Sequence, residues 1–135
     1  TVLLIEDASD DAFMVQLSFE KSQITHSIFA VSDAQQAIDY LKGSGPYADR
    51  QRFPMPRLVL LDLSLPGTTG FEFLEWLRSD SELKSLPVVV LSGSLNAGDV
   101  ARAYQLGANS FLEKTADTTR FRVELKQSTD FWIGK

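Results

Sequence analysis

Short apolar runs alternate along the chain with stretches that repeat apolar residues every three or four positions. The runs predict strands at Val2–Ile5, His26–Val31, Leu58–Leu61, Val88–Leu91 and Ser110–Leu112. The third and fourth are apolar almost throughout, as strands covered on both faces are, so they belong in the middle of a parallel sheet. Between the runs, helical stripes fall on Ala12, Val15 and Phe19, then on Ala34, Ala37, Ile38 and Leu41. Three further stripes follow: Gly70, Phe73, Leu74 and Leu77; Val100, Ala103, Tyr104 and Gly107; Phe121, Leu125, Ser128 and Trp132. Five strand-helix units in alternation predict an α/β fold, a doubly wound five-stranded parallel sheet with helices on both faces.

Punctuation supports this division. Asp33 with Gln36 three residues on is a capping-box pattern, Ser9 or Asp10 is the expected cap of the first helix, and Gly43 and Gly107 mark two helix ends. Gly43 to Pro56 resists both a helical and a strand reading and is expected to be an ordered surface loop. Its aromatic and arginine residues, Tyr47, Arg50, Arg52 and Phe53, make it a candidate recognition element.

Composition narrows the function. A length of 135 residues suits one domain, taken as 1–135. A net charge of -5 and one histidine argue against direct nucleic-acid binding, which normally presents a basic stripe. With no cysteine there is no disulfide or zinc-thiolate framework, and no apolar run is long enough to span a bilayer. A cytoplasmic location is the expectation. The chain does not start with Met, so sequence upstream is expected; little remains after Ile133 for an output module.

Polar residues follow the strands directly: Glu6 and Asp7 the first, Asp62 the third, Ser92 the fourth and Lys114 the fifth. Ligands of open parallel sheets bind beyond the carboxyl ends of the strands, where the winding reverses. A flavodoxin-like order 2-1-3-4-5 places that reversal between strands one and three, so Glu6, Asp7 and Asp62 should converge. Crowded carboxylates need a compensating cation, and an all-oxygen set beside a phosphate suits Mg²⁺. Asp62 is then the candidate nucleophile toward phosphorus, Lys114 the fixed positive charge, and the Ser92 hydroxyl a donor to a phosphoryl oxygen. Taken singly, each has an ordinary structural explanation, as a loop-capping acid, a turn serine or an edge lysine. Asp10 and Asp11 fit a helix N-terminus better than a metal site. His26 is expected to be exposed, and Trp76, Trp132 and Tyr104 to serve packing or partner surfaces.

Four segments, Leu-Leu-Ile-Glu-Asp at 3–7, Leu-Leu-Asp-Leu-Ser-Leu-Pro-Gly-Thr-Thr-Gly at 60–70, Val-Val-Val-Leu-Ser-Gly-Ser at 88–94 and Phe-Leu-Glu-Lys at 111–114, resemble response-regulator receivers of two-component signalling. The resemblance covers essentially the whole chain. It implies that Glu6 and Asp7 are the acidic metal pair, Asp62 the phosphoacceptor, Ser64 the donor of a backbone carbonyl to the metal, Ser92 and Lys114 the phosphate-contacting pair, and Phe111 the switch aromatic. It implies a histidine kinase as phosphoryl donor and a stand-alone regulator that catalyses only its own phosphorylation and dephosphorylation. Signalling would pass through an altered protein-binding surface or a homodimer built on the fourth helix, fifth strand and fifth helix. The Gly-Pro-Tyr-Ala-Asp segment at 45–49 is similar to that of stand-alone receivers, some of them paired with bacterial phytochrome kinases. One departure is Thr115, where the family commonly has proline; no cis X-Pro bond is encoded, which leaves the reach of Lys114 open.

Three rivals carry different expectations. A phosphatase of the haloacid-dehalogenase type would place a general acid two residues after the nucleophile, where Ser64 stands. A flavin binder would need a phosphate cradle where Glu6 and Asp7 would repel the anion. A degenerate receiver that only binds partners would not need the intact acidic set.

Overall fold

The computed structural model describes residues 1–93, 96–115 and 117–134; Ser94, the last residue of the third quoted segment, lies outside them. Five strands, β1 (Val2–Ile5), β2 (Ile28–Val31), β3 (Leu58–Asp62), β4 (Val88–Ser92) and β5 (Ser110–Glu113), form one parallel sheet in the order β2-β1-β3-β4-β5. Five helices connect and follow them: α1 (Ser9–Lys21), α2 (Ala34–Lys42), α3 (Gly70–Ser79), α4 (Ala97–Gln105) and α5 (Thr118–Ile133). The fold class and strand order are those the sequence predicts.

Alternation of side chains along each strand divides the interior in two. Leu3, Ile5, Val59, Leu61, Val88 and Val90 face α2, α3 and α4, where they pack with Ala37, Tyr40, Phe73, Leu74, Leu77 and Ala103. Val2, Leu4, Leu58, Leu60, Val89 and Leu91 face α1 and α5, against Val15, Phe19, Phe121 and Leu125. Because both faces are covered, β1, β3 and β4 read as unbroken apolar runs.

Several local expectations shift. The N-cap of α1 is Ala8, with Ser9 already helical and no side-chain cap. Asp33 caps α2 by accepting from the Gln36 N–H, but the Gln36 side chain accepts from Ser32 rather than closing the box. In α5 the buried line is Phe121, Leu125, Thr129 and Ile133, not Phe121, Leu125, Ser128 and Trp132. Thr129 tolerates the core because its hydroxyl donates to the Leu125 carbonyl at 2.8 Å within the same helix. Trp132 is half-buried and donates from Nε1 to Ser110 Oγ. In α4 only Ala103 is fully buried; Tyr104 faces out. His26 precedes β2, is half-buried and shares a hydrogen bond with the Gly134 carbonyl.

The segment 43–56 is ordered from within, and it contains a short 3₁₀ turn, Gly45–Tyr47, that the sequence does not announce. Tyr47 and Phe53 pack with Phe29 and Tyr40, all four ring centroids lying 5.2–6.1 Å apart. The Arg50 guanidinium donates to the carbonyls of Tyr40, Leu41 and Phe53, satisfying acceptors at the end of α2, and the Tyr40 hydroxyl donates to the Pro54 carbonyl. Tyr47 and Phe53 are thus half-buried in this cluster.

One glycine ties the core to the strand end. A Cβ on Gly70, at the start of α3, would lie 2.7 Å from both the Asp62 carbonyl oxygen and Leu63 Cα, which are backbone atoms with nowhere to rotate. Gly70→Ala is therefore expected to lower stability by about 1–3 kcal/mol, the usual range for overpacking. Urea denaturation reads this as a lower midpoint at unchanged slope; an unaltered midpoint would show that the β3–α3 connection yields freely.

Candidate functional site

The carboxyl ends of β1 and β3 bring the acids together. Glu6 and Asp62 are almost fully buried, Asp7 is exposed, and one carboxylate oxygen of each lies within 4.8 Å of the others. They line an open cleft of about 550 Å³ together with Asp11, Ser64, Gly93, Lys114 and Thr115. Backbone geometry places the nucleophile candidate: Asp62 is the last residue of β3, paired across to Leu91, and its Oδ1 accepts from the Ser64 N–H at 3.2 Å. Glu6 Oε2 accepts from the Ala8 N–H at 3.3 Å, which anchors the turn into α1.

Lys114 enters from β5. Its backbone N–H donates to the Ser92 carbonyl at 2.7 Å, extending the β4–β5 ladder, and its side chain turns into the cleft. Nζ lies 2.8 Å from Glu6 Oε1, 2.8 Å from Asp11 Oδ2 and 3.7 Å from Asp62 Oδ1. Every described peptide bond is trans, Lys114–Thr115 included. Burial disfavours the ammonium, but the Asp11 and Glu6 carboxylates more than offset that and hold Lys114 at about 12, so it is charged at all physiological pH.

Of the other expected residues, Ser92 closes β4 half-buried on the neighbouring strand end, and Ser64 is exposed just past Asp62. Phe111 lies half-buried in β5 against the α2–α4 side of the core. Asp11, assigned only to the helix N-terminus from sequence, proves to be a partner of Lys114. A signal existed: Asp11 sits in the first turn of α1, which begins directly beyond the β1 end that carries Glu6 and Asp7.

Burial and the Asp62 carboxylate push Glu6 up to about 7, against the pull of Lys114. A carboxyl raised above its ordinary 4.5 holds a proton in the folded state that the unfolded chain has lost. Its contribution is thus most favourable below about pH 4.5 and declines as pH rises to about 7, by up to roughly 3 kcal/mol. In EDTA, wild type is expected to lose more stability than Glu6→Gln between pH 5 and 8 in urea or thermal melts. Parallel curves for the two proteins would contradict the assignment.

The donor set suits a hard divalent cation: all oxygen, two of three carboxylates buried, and enough mutual repulsion to perturb one of them. The chain matches the family described as response regulator receiver domain over residues 2–126. It is similar to the response regulator Rcp1 of Synechocystis sp. PCC 6803, 34% identical over 98% of this chain and 88% of Rcp1. A solved Mn²⁺-bound form of Rcp1 superposes with a TM-score of 0.82, at 34% identity over 98% of this chain and 93% of that one. The phosphorylated cyanobacterial phytochrome response regulator RcpA is 36% identical, with a TM-score of 0.85 over 98% of this chain and 92% of RcpA. The response regulator RPA3017, from red light signaling of R. palustris, is 33% identical over the same shares, with a TM-score of 0.91. The sheet order, the convergence of acids at its carboxyl edge and these likenesses along nearly the full length agree: the chain belongs to the response regulator receiver domain family.

Proposed function

We propose that Asp62 accepts a phosphoryl group from the phosphohistidine of a partner histidine kinase, in a Mg²⁺-assisted reaction that alters a protein-binding surface. The observation that carries this is a buried Asp62 at the end of β3, within 4.8 Å of the Glu6 and Asp7 carboxylates and 3.7 Å from the Lys114 ammonium. An Asp62 carboxylate oxygen forms the new O–P bond while the P–N bond to the histidine breaks. The bonding pair returns to the imidazole, which takes up a proton. Glu6, Asp7, Asp62 and the Ser64 backbone carbonyl are the groups that would hold Mg²⁺, which when bound neutralises the phosphoryl oxygens. Lys114 supplies a second, permanent positive charge, and the Ser92 hydroxyl, one strand over, donates to a phosphoryl oxygen.

The acyl phosphate adds about -1.5 to -2 charges at this strand end. Drawing Ser92 toward it frees space beside β5, into which Phe111 turns. Phe111 has no hydroxyl, so this movement rests on ring burial alone. The altered face comprises α4, β5 and α5 and serves a protein partner or a second copy. In this reading the chain turns over no external substrate and works in the cytoplasm. No helix among the described residues is long and apolar enough to cross a membrane. The descriptions of RcpA as a phytochrome response regulator and of RPA3017 as acting in red light signaling support a phytochrome-type kinase as donor.

The test is incubation with acetyl phosphate, with and without Mg²⁺, followed by intact mass. One phosphoryl adduct, formed only with Mg²⁺, is expected. No adduct under conditions that load a control receiver would leave a binding-only module.

A further inference from the structure

Asp11 has no part in that reaction, yet it makes one of the two shortest contacts of Lys114 Nζ. Two of the three ammonium donors are engaged at 2.8 Å by Glu6 and Asp11, and the 3.7 Å to Asp62 Oδ1 is beyond hydrogen-bond reach. The backbone of Lys114 is held by Ser92, so the ammonium can approach Asp62 only by swinging on its stem. Glu6 is also one of the carboxylates placed for the cation, which leaves Asp11 as the anion with no other duty at that ammonium.

We infer that Asp11 is a positioning residue for phosphoryl uptake: it parks the Lys114 ammonium on the α1 side of the cleft, short of Asp62, until the phosphoryl group draws it across. The direction follows from charge. Asp11 is a single, half-exposed carboxylate, whereas an acyl phosphate on Asp62 is more highly charged and buried, so the ammonium moves to it. The resting contact then opposes uptake, because the transition state needs Lys114 where the resting state does not have it. Stabilisation of the α1 N-terminus is the competing explanation for Asp11. Asp10, in the same turn and of the same charge, provides that term without an ion pair to Lys114 among the described residues, which makes it the control.

The inference rests on Asp62 as acceptor, and the experiment separates the two. Uptake from acetyl phosphate at saturating Mg²⁺ is timed by intact mass for wild type, Asp11→Asn, Asp11→Ala, Asp11→Glu and Asp10→Asn. The Asp11→Asn and Asp11→Ala proteins are expected to react about two- to fivefold faster than Asp10→Asn, the range one exposed ion pair commands, and Asp11→Glu to fall back toward wild type. Structural damage would slow uptake, not speed it. A second reading uses Mg²⁺-free protein: the ¹⁵N NMR signal of the Lys114 ammonium at low temperature is expected in wild type and Asp10→Asn and lost to solvent exchange in Asp11→Ala. Rates for the Asp11 proteins equal to or below Asp10→Asn, or an ammonium signal that persists in Asp11→Ala, would overturn the inference while leaving Asp62 as acceptor. A wild type that takes up no phosphoryl group would remove both readings.

Discussion

Asp62→Asn is expected to abolish phosphoryl uptake and, at the same time, to make the protein more stable. The first effect follows from the loss of the nucleophilic carboxylate, and no other carboxylate at the cleft combines a strand-end backbone with its burial: Asp7 is exposed, Asp11 is half-exposed on α1, and Glu6 is committed to Lys114 and the Ala8 N–H. The second follows from the cluster. Of the influences that raise Glu6, burial is the largest, but the hydrogen bond to Asp62 and the Asp62 charge both act in the same direction. A neutral amide at 62 removes the repulsion and leaves Glu6 free to ionise against Lys114 at 2.8 Å. At pH 8 in EDTA the gain should be about 1–2 kcal/mol. At pH 5, where Glu6 is already protonated in the wild type, the gain should vanish. Urea denaturation at the two pH values, beside the intact-mass assay, checks both. A variant that still forms the adduct, or one less stable than wild type at pH 8, would show that the site is not the strained anionic cluster described. Mg²⁺ should stabilise wild type and leave the variant nearly unmoved, since binding to the folded state alone raises stability.

The second large effect concerns Arg78, and it is one of folding rather than chemistry. From the last turn of α3 its guanidinium donates to the Gly107 carbonyl through Nε and Nη2, at 3.0 and 2.7 Å, and to Asn109 Oδ1 at 2.9 Å. Nη1 donates to the Leu86 and Lys84 carbonyls at 2.8 and 3.0 Å. Asn109 Oδ1 in turn accepts from the Val88 N–H at the start of β4. One side chain thus joins α3 to the loops before β4 and β5. Burial pulls the Arg78 pKa below its usual value, but five hydrogen bonds to oxygen keep it paired. Gly107 fits this arrangement twice over, since its φ of 105° disfavours a side chain and a Cβ would meet Arg78 Nε at 2.7 Å. Arg78→Ala should cost about 3–5 kcal/mol by stranding several part-buried carbonyls. Arg78→Lys should recover little, because a point ammonium cannot span the same acceptors. A urea-melt loss below about 1 kcal/mol for the alanine variant would mean that water replaces the guanidinium at no cost.

The two results were not equally visible in the sequence. Asp62 was, because a strand-end acid at the switch point of a parallel sheet is fixed by period and order alone, and Glu6 and Asp7 follow from the same rule. Arg78 was not: nothing in an arginine near a helix end says that carbonyls at 84, 86 and 107 lie within reach. Asp11 lay between the two cases. Its place in the first turn of α1 was readable, but its contact with Lys114 joins residues 103 positions apart.

The same division runs through the fold. Unbroken apolar runs and three-and-four stripes reflect burial that each segment carries by itself, so strand and helix identity, the parallel sheet and the acidic edge were determined by the sequence. Where a polar residue can satisfy itself locally, the pattern misleads, as Thr129 does by bonding within α5. Where partners come from several chain segments, only the folded structure decides: the aromatic cluster that seats segment 43–56, the fork of Arg78, and the choice of Lys114 between Asp11 and Asp62. Such contacts depend on ångström-scale distances between distant residues, and hydrophobic periodicity carries no information at that scale.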